Sequence, residues 1–327
     1  MAGANQLLYL SRAQVEACGL GLGEIIDALE KAFVIKGQGG AELPPKPGIH
    51  PFKDSFLHAM LCYVSGVEAA GIKWVSAYPA NPDKGLPTIS ALVILNDPQT
   101  GLPLAVMDGT WMTAWRTAGV SALTAKRLAR PGARTLAICG AGVQGRTNLD
   151  ALAYVLGQLK EVRVYDTEPR NLEAYLEEMA PRHPNLELKG ASSAQEAVRG
   201  ADVVLTAGPM LKNPQPVIED EWLAPGSLGL PLDFDSYFAP SAFLGCDKFF
   251  TDDVEQIRYY QTIGYFSQLP DINGDLGDLA IGQVAGRESE EERIIGCNLG
   301  LALDDMVVGL LLLQRAREKG LGLSLDL

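Results

Sequence analysis

The run Thr135-Leu136-Ala137-Ile138-Cys139-Gly140-Ala141-Gly142-Val143-Gln144-Gly145 constrains this chain most, because an apolar stretch ends in three glycines at G-x-G-x-x-G spacing. The spacing predicts a strand finishing at Cys139 and a helix beginning near Gln144. The first glycine allows a sharp turn, the second lets a pyrophosphate approach the main chain, and the third lets helix and sheet pack closely. Open amides at the helix N-terminus then face the phosphates. Alone, such a triplet is weak, since a Gly-rich turn without any nucleotide can carry it. Here a second strand at 161–165 follows the helix and ends at Asp166, about twenty residues past Gly145, as a dinucleotide-binding unit requires.

Asp166 selects among cofactors by charge. A carboxylate there accepts hydrogen bonds from the ribose hydroxyls of the adenosine and repels a 2′-phosphate, which favours NAD over NADP. Arg170 is close enough in sequence to offer a phosphate partner, and Asp166 could instead cap the helix that starts near Pro169. Beyond it the pattern alternates: helix 168–179, strand 186–189, helix 194–199, strand 201–206. Alternation of this kind predicts a doubly wound parallel sheet of Rossmann type, with ligands outside the carboxyl ends of its strands. Thr206 and Ala207, at one such end, join Gly140, Gly142, Val143, Gln144, Gly145 and Asp166 as candidate cofactor-binding residues.

The part before this domain reads differently. A strand at 7–10, Ser11 as N-cap, and helices carrying Val15, Ile25, Ile26, Leu29 and Phe33 come first. The segment 43–51 is too rich in proline for a helix or central strand, so it is an extended loop holding Lys46; a solvated loop charge is the equal alternative. Three β-like runs, 56–64, 71–78 and 88–95, imply a mostly antiparallel sheet. In the second, a period of two puts Lys73 on one face with Val75 and Ala77, and Ile72, Trp74 and Ser76 on the other. Lys73 therefore suits a cation lining a pocket, or a lysine snorkelling from the sheet edge. Residues 110–128 form a helix whose apolar stripe of Met112, Gly119, Val120 and Leu123 contains Arg116. A buried arginine needs a partner, and a protein carboxylate, a substrate carboxylate or the pyrophosphate of the cofactor would each serve. Pro131-Gly132 marks the expected boundary between the two domains.

After the nucleotide domain's strand at 226–232 come Asp233 and Asp235, which point the same way if the chain stays extended. Close carboxylates raise one another's pKa, so one could accept a proton near neutrality. Turn residues capping the following helix is the competing reading. A short strand at 248–251 and a strongly apolar helix at 299–319, a core or dimer element, close the chain.

Composition narrows the function classes. A net charge of −13 over 327 residues argues against nucleic-acid or anionic-membrane partners, which are bound through cationic surface. The five cysteines are scattered, without C-x-x-C spacing, and read as thiols of a reducing compartment. Three histidines make no metal triad, and no G-x-S-x-G or Walker sequence is present. The expectation is a cytoplasmic protein without a metal, a secretory signal or a membrane span.

With these residues in view the chain resembles, nearly end to end, the ornithine cyclodeaminase and mu-crystallin family. The likeness is carried by Gly71-Ile72-Lys73-Trp74-Val75-Ser76, Gly85-Leu86-Pro87-Thr88, Val106-Met107-Asp108-Gly109, Arg116-Thr117-Ala118, Ser121-Ala122, Gly140-Ala141-Gly142-Val143-Gln144 and Ala201-Asp202-Val203-Val204. The resemblance implies a homodimer built through an α+β substrate-binding and dimerisation domain (1–130 with 300–327), a Rossmann domain (131–299), and substrate between them. It further implies that Lys46, Lys73 and Arg116 clamp a substrate carboxylate, that Thr88 and Arg116 contact cofactor, and that Asp235, with Lys73, carries the catalytic proton chemistry. Two departures stand out. Leu230-Pro231-Leu232-Asp233-Phe234-Asp235 replaces the family's N-A-x-G stretch, leaving open which aspartate faces substrate. His58, two residues before Met60, stands where ornithine cyclodeaminases carry a glutamate, so both are candidate side-chain readers and the distal ammonium of ornithine loses its partner. The implied activity is NAD-dependent hydride transfer at the α-carbon of a small amino or imino acid, with cyclodeamination of ornithine or lysine and mu-crystallin-like ligand binding as alternatives.

Overall fold

The computed structural model describes residues 6–327. They form two compact units: the first runs to Gly119 and resumes at Gly300, and the second spans Val120–Leu299. In chain order the first unit contains β1 (Gln6–Leu10), α1 (Arg12–Ala17), α2 (Leu22–Gly37), β2 (Ala41–Glu42), β3 (Gly48–Ile49), β4 (Phe56–Val64), β5 (Ala69–Ala77), β6 (Ile89–Asn96) and β7 (Pro103–Asp108). Helix α3 (Thr110–Leu128) begins in it and ends in the second unit. There follow β8 (Thr135–Cys139), α4 (Val143–Val155), β9 (Glu161–Tyr165), α5 (Pro169–Arg182), β10 (Glu187–Gly190), α6 (Ala194–Val198), β11 (Val203–Thr206) and β12 (Leu228–Pro231). Then come α7 (Pro240–Leu244), β13 (Lys248–Thr251), α8 (Val254–Thr262), β14 (Gly274–Asp275), α9 (Leu276–Ile281) and β15 (Ile294–Cys297), before α10 (Ala302–Lys319) and β16 (Leu323–Asp326) complete the first unit.

The first unit is an α+β layer. Its sheet runs β16-β1-β7-β6-β5-β4-β2, with β3 also on β4, and every pair is antiparallel except β1 with β7. The period of two in β5 sorts as the sequence predicts: Lys73, Val75 and Ala77 are buried, and Trp74 is exposed. Helix α10 covers the buried face of β4, β5 and β6 and also meets α2. It can do so because Leu303, Met306, Val307, Val308, Leu312 and Leu313 are buried around most of its circumference, and a helix apolar on all sides finds no stable place at a surface. The helix starts at Ala302 rather than at 299, because Gly300 takes a φ of 75° and Leu301 is extended.

The second unit holds an all-parallel sheet in the order β10-β9-β8-β11-β12-β15-β13-β14. Strands β11, β12 and β15 are buried at every position, the continuous apolar pattern of a sheet covered on both faces. The strand order reverses at β8, with β9 on one side and β11 on the other, and this switch point is where a doubly wound sheet takes a nucleotide. Of the two readings of Asp233 and Asp235, the turn is the one the backbone takes, with the Ser236 amide donating to Asp233 O at 3.1 Å. The chain does not stay extended after β12, since Phe234 adopts a left-handed φ of 62° between the two aspartates.

Candidate active site

Two groups of predicted residues assemble, one in each unit. In the first, Lys73 on the covered face of β5 is fully buried, with Nζ 2.7 Å from Asp305 Oδ2. The ammonium and the carboxylate are at hydrogen-bond distance, and both are withdrawn from solvent. Arg116, from α3, lies with Nη1 3.4 Å from Asp304 Oδ2 and Nε 3.2 Å from Asp305 Oδ1. Lys46 is buried too: the proline-rich stretch turns it inward, where Nζ donates to the carbonyl of Gly300 at 2.7 Å. Gly300 also makes room for the arginine, since a Cβ on it would sit 2.4 Å from Arg116 Nη1. Sequence reasoning missed Asp304 and Asp305, which resemble an ordinary acidic first turn of a helix. Asp304 does serve that role as well, accepting a bond from the Leu301 amide at 3.0 Å.

Lys46, Lys73 and Arg116 are thus buried close to Asp304 and Asp305. Burial, helped by the Arg116 charge and opposed by Asp305, pulls the Lys73 ammonium down to about 7. An anion arriving beside it would restore its charge. Met60 is buried directly across from Lys73 in the β4–β5 register. His58, on the same strand face, stacks on Phe56 with ring centroids 4.1 Å apart. Burial, with the charges of Lys46, His50 and Lys73, pushes its pKa down to about 3, so its imidazole is neutral near pH 7. Thr88 stands apart: with Val93 opposite Lys73, it lies five residues, about 16 Å, along the sheet.

In the second unit the glycine loop closes between β8 and α4. A Cβ on Gly145 would lie 2.2 Å from the Gly140 carbonyl oxygen, whereas one on Gly142 would meet nothing within 4 Å. Close packing therefore requires the third glycine, and the second faces open space that a diphosphate can fill. Val143 is exposed at the first turn of α4, where free amides are available. Asp166, just past β9, accepts from the Ala141 amide at 2.7 Å and from the Glu168 amide at 2.9 Å. It therefore also holds the turn, while keeping an anionic group where an adenosine ribose would lie. Thr206 and Ala207 sit at the end of β11, beside the loop, with the Ala207 amide donating to Cys139 O at 2.8 Å. These features fit a dinucleotide.

The two aspartates after β12 have separate surroundings. Asp233 is fully buried, and its oxygens accept from Thr206 Oγ1 at 2.6 Å and the Gly208 amide at 2.9 Å. Burial lifts its pKa to about 7 against the pull of those two donors. Asp235 is half-buried; Oδ2 accepts from the Phe266 amide at 2.7 Å, and Oδ1 is buried without a partner. Burial raises its pKa as well, opposed by the Phe266 amide and by the charge of Lys212. Neither aspartate caps α7, whose N-cap is Ala239.

Among the described residues no cluster of side chains is suited to a metal ion, and no helix is long and apolar enough to cross a membrane. The sequence profile of the ornithine cyclodeaminase/mu-crystallin family matches residues 7–320. The nodulation efficiency protein of Rhizobium meliloti is 34% identical over 318 residues, 96% of this chain and 97% of its own. The Δ1-pyrroline-2-carboxylate reductase of Thermococcus litoralis, solved with NADH and L-proline, superposes with a TM-score of 0.88 at 32% identity, covering 97% of this chain and 99% of that one. An archaeal alanine dehydrogenase dimer with bound NAD gives 0.87, also at 32% identity, covering 98% and 99%.

Proposed function

Because the chain belongs to the ornithine cyclodeaminase/mu-crystallin family, we propose that it is an NAD-dependent oxidoreductase of a small α-amino or imino acid, working through an imine. The observation that carries this reading is the buried cluster in which Lys73 and Arg116 lie against Asp304 and Asp305, with Lys46 held beside them on the Gly300 carbonyl. A substrate carboxylate joins this cluster, held by the Lys73 ammonium and by the guanidinium. Asp235, through its unpartnered oxygen, takes a proton from the substrate ammonium, because a neutral amine must form before the α-carbon can give up hydride. Lys73, with a pKa of about 7, can exchange a proton as well as hold charge. Residues 140–145, Asp166, Thr206 and Ala207 would hold NAD, which supplies the hydride acceptor. The α-carbon and nitrogen lose one hydride and one proton. With a primary amine, water then adds to the imine carbon and ammonia leaves.

His58 bears on the choice among family reactions. Cyclodeamination of ornithine needs an anionic partner for the distal ammonium, and a neutral imidazole supplies no charge. Neutral or small side chains therefore suit this pocket better. A ligand-binding role without turnover would leave Asp235 no task. Incubation with NAD and a panel of alanine, proline, ornithine and lysine, following nicotinamide absorbance and released ammonia together, tests this. Reduced cofactor should accumulate with alanine or proline. Ammonia from ornithine or lysine without net reduction would replace this reading with cyclodeamination, and no change with any substrate would favour a binder.

The same reading includes a homodimer. On the open face of the first unit's sheet, Leu61, Trp74 and Leu92 are exposed beside the half-buried Ile72 and Ile94, an apolar surface of the kind that marks an interface. Sedimentation should give twice the chain mass, and Trp74→Lys should lower it to one; a wild-type monomer would remove the dimer from the proposal.

A further inference from the structure

We propose that Asp233 is a buried negative charge that makes this protein bind oxidised nicotinamide cofactor more tightly than reduced. The inference rests on the nucleotide-binding reading above and assigns a role to the one carboxylate that reading leaves without a task. In a doubly wound sheet each half takes one mononucleotide. The adenosine half is β8, β9 and β10, marked by the glycine loop and Asp166; the other half, β11, β12 and β15, is left for the nicotinamide nucleotide. Asp233 follows β12 by two residues, and its two donors, Thr206 and Gly208, stand at the end of β11. It is therefore held at the carboxyl edge of the nicotinamide half.

Nothing among the described residues neutralises it. Both oxygens are engaged by uncharged donors, and no lysine or arginine among the described residues forms an ion pair with it. The titratable groups around it are Cys139 on β8, Cys297 on β15, and Asp235 and Tyr237 on its own loop, with Asp166 beyond Cys139. Burial pushes both thiols and the phenol upward, so they stay neutral, and the two other carboxylates only add negative charge. A buried anion without a counter-charge is costly, and the oxidised nicotinamide ring carries the positive charge that the protein withholds. The reduced ring is neutral and offers no compensation. Hence oxidised cofactor favours the ionised carboxylate and reduced cofactor does not. Because Asp233 titrates near 7, the preference should grow as pH rises through that value.

Calorimetric Kd values for NAD+ and NADH, without substrate, between about pH 5.5 and about pH 8.5, test this on the wild-type protein, Thr206→Val and Asp233→Asn. In wild type the ratio Kd(NADH)/Kd(NAD+) should rise roughly five- to tenfold across the range, the scale of one charge pair in a partly screened interior. Removing the Thr206 hydroxyl takes a hydrogen bond from the ionised form, so the rise should move to higher pH. Asp233→Asn should flatten it, with NADH affinity close to wild type. A pH-independent ratio in wild type, or an unmoved midpoint in Thr206→Val, overturns the proposal even if the asparagine variant does not fold. Wild-type protein that binds neither nucleotide would instead overturn the nucleotide-binding reading itself.

Discussion

Asp305→Ala is expected to cost about 3–5 kcal/mol of stability, the usual result of removing one partner from a buried ion pair. Its two oxygens face Lys73 at 2.7 Å and Arg116 at 3.2 Å, with all three side chains buried, so the substitution strands two cations on one remaining carboxylate, Asp304. Asp304, not Asp305, accepts from the Leu301 amide, so the first turn of α10 keeps its cap and the loss reports the charge cluster. The pH dependence is part of the expectation. Lys73 titrates near 7 when folded, far below an ordinary lysine, so between that value and about 10.4 the unfolded chain binds the proton that the folded chain has shed, and stability rises with pH. Asp305 is the group that holds the Lys73 pKa up; without it the folded pKa falls and this window opens at lower pH. At about pH 6 the parent protein carries a paired ammonium, while the variant must bury an unpaired one or discharge it. At about pH 8.5 Lys73 is neutral in both, and the deficit shrinks to the share of Arg116. Urea unfolding at the two pH values, with equal m-values as the check on two-state behaviour, should show the larger deficit at the lower pH. A loss below about 1 kcal/mol there, the value of a surface pair, or a deficit that grows with pH, would mean the cluster is solvated rather than buried.

The parts of this architecture carried by local pattern were legible in the sequence. The G-x-G-x-x-G run fixes β8, α4, β9 and the position of Asp166 within a residue or two, because turn, phosphate approach and helix packing each demand glycine at one place. Period two put Lys73 on the covered face of β5, and period 3.6 put Arg116 in the apolar stripe of α3. What stayed hidden depends on distance along the chain or on backbone choices with no residue signature. Arg116 and Asp304 are 188 residues apart, and nothing in an Asp-Asp pair opening an apolar helix says that a lysine and an arginine wait opposite. The turn between Asp233 and Asp235 is hidden in another way. A bulky residue seldom takes a positive φ, yet Phe234 does, held in place by its ring contacts with Tyr260, Tyr265 and Phe266. Strand β15, four residues at Ile294–Cys297, follows a charged stretch and is too short to show periodicity, although it sits between β12 and β13 inside the sheet. Strand β16 is exposed throughout and exists only because β1 offers an open edge.

Asp235→Asn should lower turnover roughly 10²- to 10⁴-fold, the range for losing a general base, while leaving the affinity for NAD nearly unchanged. The substitution is nearly isosteric. The asparagine oxygen can still accept the Phe266 amide, which occupies Oδ2 in the parent, and only the unpartnered Oδ1 changes its chemistry. An amide in that place cannot take a proton from the substrate ammonium. Asp233 cannot readily substitute, because Thr206 and Gly208 already engage both its oxygens. The acidic limb of the pH–rate profile offers a second readout. Burial raises the Asp235 pKa above that of an ordinary aspartate, so oxidation should fall as pH drops through a value above the usual carboxylate range, and this limb should vanish from whatever activity the variant retains. A substrate whose amine is already neutral should be oxidised by the variant nearly as well as by wild type, since it arrives without the proton whose removal is proposed for Asp235. If turnover with an ordinary amino acid survives within a few-fold, the proton leaves by another group. Lys73, titrating near 7 within the carboxylate clamp, is then the residue to substitute next, and the division of labour between clamp and base proposed above would collapse into a single site.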